Sequence, residues 1–457
     1  MPPNPNRPQI PNTQRIIQAL SWIKRRLRII FAAIRWLTLG LLGIFVEVFN
    51  FLRRQKRDRI LAIVFLLISV AIIIGYYYFP GSYNFEGSIV AQGMSFTYIG
   101  QQEKLIFNTI RDIKNLDIQG RQPQALVLRG QFYSKSNPTL NQKLSQLKQL
   151  TVELPYATSR LILTPANLSK SELSILEFRL LRQSRVSQLV YEPKNNQMSL
   201  CLQAATLPPQ ICVFPEEFSD KLVLAEKTSL GSLKVQLGQE ELIVSLAGIN
   251  LPELGIRSVP DAYQELLLQF KPNIDEFLFS LLTPTYLSIK LPDPVKLNKS
   301  TANDAADWFR RDLEVSEVSF SRFDMNGYVK DELQISTILE GKLRMGAQMM
   351  DIQPEQFLII PPGQKGVHKL RSIRINPQQG LQTLILGESN SIAVGLYPEF
   401  PVQTIKTTWL SKYLSQEAIN ALLAFIAAFT AILYPRLFPE PAQTTNVSQQ
   451  HNQGGNP

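Results

Sequence analysis

Histidine and cysteine are the scarcest reactive groups in this chain of 457 residues, with two of each. Only His368, in "PGQKGVHKLRS", lies in the body of the sequence, the other being His451 near its end. A zinc site built from several histidines or from a cysteine cluster is therefore excluded, and His368 reads as a lone exposed residue. The G-x-S-x-G elbow, the P-loop, G-x-G-x-x-G and H-E-x-x-H are also missing. Neighbouring acids such as Asp275 with Glu276, or Asp331 with Glu332, read as solvated loop or helix positions rather than acid/base pairs. Among enzyme classes this leaves open a glycosidase whose two carboxylates are distant in the chain. The expectation is a protein with no catalytic residues, no cofactor and no metal.

Positive charge is missing over a long interval as well: no Lys or Arg occurs between Arg59 and Lys104. Inside that interval Ile60 to Phe79 is a run of 20 residues without any charge, which at about 1.5 Å per residue gives roughly 30 Å, one hydrocarbon thickness. Arg53, Arg54, Lys56, Arg57 and Arg59 stand directly before it, so the positive-inside rule places the amino end in the cytoplasm. Tyr76, Tyr77 and Tyr78 then fall at the outer interface. The run starts too late and is too long for the apolar core of a cleaved signal peptide.

The net charge of +10 divides unevenly. Of the 47 basic residues 12 precede residue 60, against 2 of the 37 acidic ones, so the remaining chain carries 35 of each. The whole excess lies beside the anionic inner leaflet, and binding to nucleic acid, which needs a basic face on the folded domain, is not expected.

Upstream, Ile29 to Leu52 is apolar but holds Arg35 and Glu47. At 100° per residue Lys24, Arg28, Arg35, Asn50 and Arg53 fall on one narrow stripe with Arg25 and Arg54 beside it, which suits a cytoplasmic helix lying in the membrane surface over residues 15–59. A spanning hairpin is the alternative, but it would require one of two basic clusters to be translocated. Residues 1–14 are too polar to fold and read as a disordered leader. Near the other end Ala418 to Tyr434 gives a second, shorter apolar run, expected to span as a helix over residues 418–437. Small residues recur there at Ala418, Ala421, Ala424 and Ala428, so Ala424 and Ala428 are candidates for a close helix-packing face. A helix buried in or lying against the outer domain is the competing reading. Residues 438–457 form a polar tail.

The roughly 330 residues between are rich in strand signals. The clearest are "ALVLRGQF" (125–132), "TVELP" (151–155), "SRLILTP" (159–165), "SLKVQLGQEELIVSLAG" (232–248), "YLSIKLP" (286–292) and "EVSFSRF" (317–323), each closed by Gly, Pro or Asn nearby. Helices are expected at "AYQELLLQF", "NIDEFLFSLL" and "TANDAADWFRRDL". The polar stretch 291–304 is the best boundary, giving one β-rich lobe over 80–290 and a second over 304–411. A repeat is a further candidate, with Leu116, Ile118, Leu126 and Leu128 falling opposite Ile373, Ile375, Leu384 and Leu386; chance alignment of two hairpin units explains it equally well. Cys201 and Cys212, in "SLCLQAATLPPQICVF", favour a structural disulfide across a hairpin. A buried reduced pair or a redox couple are the alternatives, the latter disfavoured because the spacing is not C-x-x-C.

"SIVAQGMSFTYIGQQEKLIF", "SLCLQ" and the Asn/Gln-rich tails resemble envelope membrane proteins of cyanobacterial type, a likeness that transfers no active site. The two anchors around a large outer region are also similar to polysaccharide co-polymerases in topology, although outer domains there are rich in long helices and this one is rich in strands. The expected fold is a membrane-anchored protein, mainly β with some α, holding sandwich- or barrel-like lobes outside the cytoplasm. The expected function is a non-enzymatic scaffold or binding protein of the inner membrane within an envelope assembly, at septa or cell junctions. Its expected partners are the membrane, other envelope proteins, peptidoglycan or polysaccharide, and a second copy of itself. The alternative is a wall- or glycan-modifying enzyme or an accessory of polysaccharide export.

Overall fold

The computed structural model describes residues 57–78, 81–122, 124–135, 137–208, 229–257, 265–273, 276–282, 284–292, 308–323, 334–408 and 414–437. The chain divides into two compact units, Tyr78–Gln416 and the combined terminal segments Met1–Tyr77 and Glu417–Pro457.

The larger unit is mainly β. One ladder runs through 16 strands among the described residues, beside a four-stranded sheet and three smaller ones, and its pairings are antiparallel. Period-2 patterning explains the strands: Leu126–Tyr133 alternates buried and exposed along its whole length, and Arg160–Pro165 alternates buried with half-buried. The four-stranded sheet, ordered Glu276–Leu282, Ser229–Gln236, Ser174–Leu180 and Lys104–Phe107, shares one core with the ladder. Aromatic rings fasten that core, with Phe132 stacked on Phe270 at 5.0 Å and Phe107 between Phe178 and Phe309 at 4.9 and 4.8 Å.

Strand Tyr83–Ala91 lies between Ile338–Met345 and Gly380–Ser389, bonded to both. The division into 80–290 and 304–411 therefore does not hold for this strand, which pairs with partners from the far end of the chain; residues from Gly93 to Lys290 form the ladder's other part. The expected boundary at 291–304 falls almost wholly outside the described residues.

The two parts meet at strand Leu313–Ser319, which pairs with Gly366–Asn376 on one side and Gly93–Tyr98 on the other. A bulge between Ser316 and Ser319 sets Glu317 at φ 52° and leaves its carboxylate at the surface, within reach of Arg185 and Thr97. Arg185 grips that carboxylate, donates to Thr97 Oγ1 at 3.2 Å and to the Leu207 carbonyl at 2.6 Å, while Thr97 donates to Glu317 at 3.0 Å. The guanidinium holds the Glu317 carboxyl below its ordinary range. Three strands from three parts of the sequence are thereby stapled at the seam.

Two expected helices are strands. "ELLLQF" and "DEFLFSLL" form Leu266–Pro272 and Glu276–Leu282, burying Leu268 and Phe270, then Phe277, Phe279 and Leu281. Apolar residues in near-continuous runs satisfy both periodicities, and cross-strand pairing with Leu242–Ala247 and Ser229–Gln236 decides the outcome. Of "TANDAADWFRRDL" only the last part is described; Phe309 makes an isolated bridge with Phe107 instead of a helical turn. The proposed repeat also fails in phase, because Leu126 and Leu128 are buried while Leu384 is 40% exposed. Strands Gly366–Asn376 and Gly380–Ser389 pair with each other, whereas Asn115–Gln119 and Leu126–Tyr133 pair elsewhere.

Candidate functional site

The two ends of the β unit are clasped together. Gly81 donates its N–H to the Thr407 carbonyl at 3.3 Å, and the buried Thr407 hydroxyl faces the carbonyls of Gly81 at 2.8 Å and Asn390 at 3.0 Å. Beside it Glu388 accepts from Lys365 at 2.7 Å and from Ser82 at 2.9 Å. The Lys365 ammonium, with help from Ser82, holds the Glu388 carboxyl below its usual range. Residues 326 apart in sequence thus fix where the chain enters and where it leaves. His368 on the neighbouring strand is half-buried, with Nδ1 buried and unpartnered, so the exposed position expected for it is corrected: it lies on a strand interior to the sheet.

The terminal unit carries a leading helix, Arg57–Tyr78, and a trailing helix, Gln416–Leu437. They touch through Phe65, whose ring lies 4.5 Å from Phe429 and 6.4 Å from Phe425. Ser69 is buried at 4% exposure and returns its hydroxyl to the Phe65 carbonyl at 2.8 Å; Thr430 does the same to Ile426 at 2.7 Å. Ser69 is a small residue whose polar atom is satisfied within its own helix, which lets a neighbour approach closely. On the trailing helix the covered residues are Ile419 and Ile426, one heptad apart, whereas Ala424 and Ala428 are exposed. The contact seen here therefore uses a face next to the alanine stripe. Side chains are described only over residues 63–74 and 417–432, and among the described residues no helix is long and apolar enough to cross a membrane.

Among the described residues of the β unit, three grooves stand out. A small one of about 130 Å³ is lined by Asp117, Gln188, Ser199, Cys201, Tyr286 and Ser288. Burial pushes the Tyr286 phenol up to about 12, and Asp117 is held by the Arg160 guanidinium at 2.6 to 3.2 Å, so the groove is lined by a neutral phenol and a carboxylate already paired. A second, of about 380 Å³, brings Glu103, Asp312 and Glu314 around Tyr98. The Tyr98 hydroxyl is committed to the Gln102 carbonyl at 2.6 Å, and burial together with Glu314 raises its pKa. A third, of about 590 Å³, has Glu340, Lys342 and Asp351 beside Ser88 and Gln382. No group of three or more His, Cys, Asp or Glu among the described residues is placed to hold a metal ion.

No family model, curated protein or solved structure matches this chain.

Of the positions singled out in the sequence, Cys201 is buried on strand Gln197–Ala204, opposite Tyr286, and is disulfide-bonded; Cys212, the other cysteine of the sequence, lies outside the described residues. Lys24, Arg25, Arg28, Arg35, Arg53, Arg54 and Lys56 also lie outside them, and of Arg57 and Arg59 only their place in the leading helix is described. Sequence reasoning missed the clasp, the seam staple and an apolar hairpin tip at Leu396 to Val402. The tip had a legible signal in "GLYPEFPV", where aromatic residues interleave with prolines instead of turn-forming polar ones.

Proposed function

We propose that this protein is a non-enzymatic binding or scaffold protein of the inner membrane, which carries its β unit on the extracytoplasmic side as part of an envelope assembly. The observation that carries the reading is the clasp of Gly81 with Thr407. It brings together the two ends of the β unit, which continue in sequence into the two apolar helices, as expected of a domain inserted between paired membrane anchors. The uncharged residues Ile60 to Tyr78 within the 22-residue leading helix support the membrane placement. So do the exposed Leu67, Ile68, Val70 and Ile74, which leave no polar face for water. The basic cluster before Ile60 supports the orientation.

A binding role agrees with how the polar groups are used. Arg160 engages Asp117, Lys365 engages Glu388, and Arg185 engages Glu317; each of these carboxylates fastens strands together. Among the described residues the long antiparallel ladder ends in Gln348–Ile352 and Gln149–Val152; Glu253 and Asn250 cover the outer edge of the latter, and the outer edge of the former can accept a partner strand. Periplasmic reporter fusions after Asn115 and Lys299 test the placement. Both should be active only as extracytoplasmic reporters, and cytoplasmic activity at both positions would overturn the reading. Capture of the intact protein from crosslinked membranes should recover envelope proteins, or a second copy of the chain, rather than a released glycan product.

A further inference from the structure

The strongest unassigned feature of the β unit is the tip of the hairpin formed by Ser391–Gly395 and Gln403–Lys406. Leu396, Tyr397, Phe400 and Val402 are exposed there by 55, 61, 71 and 71%, although exposed apolar groups of this size are normally scattered singly. The tip is a built turn. Phe400 donates its N–H to the Tyr397 carbonyl at 3.2 Å, Val402 donates to Val394 at 2.7 Å, and the two rings meet edge to face at 6.5 Å. The chain folds back so closely that a Cβ on Gly395 would stand 2.2 Å from the Phe400 carbonyl oxygen. Ordered backbone therefore holds four apolar side chains out toward the surroundings.

We propose that this tip inserts into the surface of the lipid bilayer that the helices occupy, as a third contact point of the protein with its membrane; the inference rests on the membrane reading given above. The size of the patch favours lipid over protein: a stable protein interface buries about 800 Å² on each partner, more than four side chains on a convex turn supply, whereas a bilayer accepts a small apolar wedge. The composition agrees, because Tyr397 and Phe400 are of the aromatic type that settles at the headgroup level. Glu399 is the only charge in the turn, so anionic lipid is not required. Chain length permits the contact: Gly81 follows Tyr78 by three residues, about 10 Å at most. The hairpin then runs four paired positions from Lys406 to Gln403, about 13 Å.

The test uses the full-length chain in phosphatidylcholine vesicles with p-benzoylphenylalanine placed, in separate preparations, at positions 400, 68 and 278. Leu278 is 65% exposed on an edge strand of the four-stranded sheet and serves as the water-facing control. After irradiation, lipid adducts are expected at 400 and 68 and not at 278. A lipid adduct at 68 without one at 400, or an adduct at 400 to protein instead of lipid, overturns the tip proposal and leaves the anchors standing. Absence of lipid adducts at 68 overturns the membrane reading itself and this proposal with it.

Discussion

Two phenylalanines of the same β unit lie against glycine in opposite senses. Phe85 is 1% exposed and its ring covers Gly387 on the facing strand, where an added Cβ would meet ring carbons at 2.1 and 2.3 Å. Phe400 presses its backbone, not its ring, onto Gly395, and the ring stands 71% exposed. In both places glycine admits a close approach that no other residue allows. Inside the sheet the freed space seats an aromatic ring against the core; at the hairpin tip it lets the chain reverse and turn an aromatic ring outward. A glycine beside an aromatic residue thus carries no fixed meaning until the partner strand is known.

Variants at these sites should separate the two uses. Phe85→Ala removes a buried ring from a strand paired on both sides and is expected to cost about 3–5 kcal/mol in denaturant unfolding; a loss below about 1 kcal/mol would mean that Phe85 is not core. Gly387→Val drives a branched side chain into that ring and should cost about 1–3 kcal/mol. Gly395→Val meets a backbone oxygen that cannot rotate away, so about 1–3 kcal/mol is expected as well, together with altered proteolysis confined to residues 396–402.

The seam lies between these extremes, since the Arg185 side chain is 11% exposed and Glu317 is 61% exposed. Because the folded state holds the Glu317 carboxyl below its ordinary value of 4.5, its contribution is complete above that pH. The contribution falls away as acid carries the pH below 4.5 and through the folded-state value. Glu317→Gln should flatten this part of the acid limb of the stability curve and change neutral-pH stability by about 0–1 kcal/mol, the exposed carboxylate being screened by solvent. Phe400→Ala closes the series with less than about 0.5 kcal/mol, and its measurable effect should be on lipid contact.

Much of the strand content was legible before any coordinates. "SRLILTP" became Arg160–Pro165, "YLSIKLP" became Thr285–Lys290, and "SLKVQLGQEELIVSLAG" divided into Ser229–Gln236 and Leu242–Ala247 around a turn. Those segments alternate, and alternation is a property of one strand alone. "LLLQF" was misread because three consecutive leucines carry no period, and the partner strand that resolves them comes from elsewhere in the chain. The seam could not be read for the same reason: Arg185 and Glu317 are ordinary charged residues in strand-like sequence until Leu313–Ser319 bulges between two neighbours. The clasp depends on residues more than 300 positions apart, a separation at which local pattern says nothing.

The place of Tyr83–Ala91 between two strands from the far end of the chain also sets a timetable. This strand is the first of the β unit to be synthesised, yet both of its neighbours, Ile338–Met345 and Gly380–Ser389, arrive near the end. At roughly 5–20 residues per second, the gap of about 250 residues lasts on the order of 10–50 s. Throughout it the strand keeps two unmet edges and an apolar face bearing Phe85 and Ile89, while Gly93–Tyr98 can already join Ser184–Glu192. Assembly therefore runs from the middle of the chain outward, and the nascent protein passes through a long interval in which its earliest strand waits with both edges unpaired.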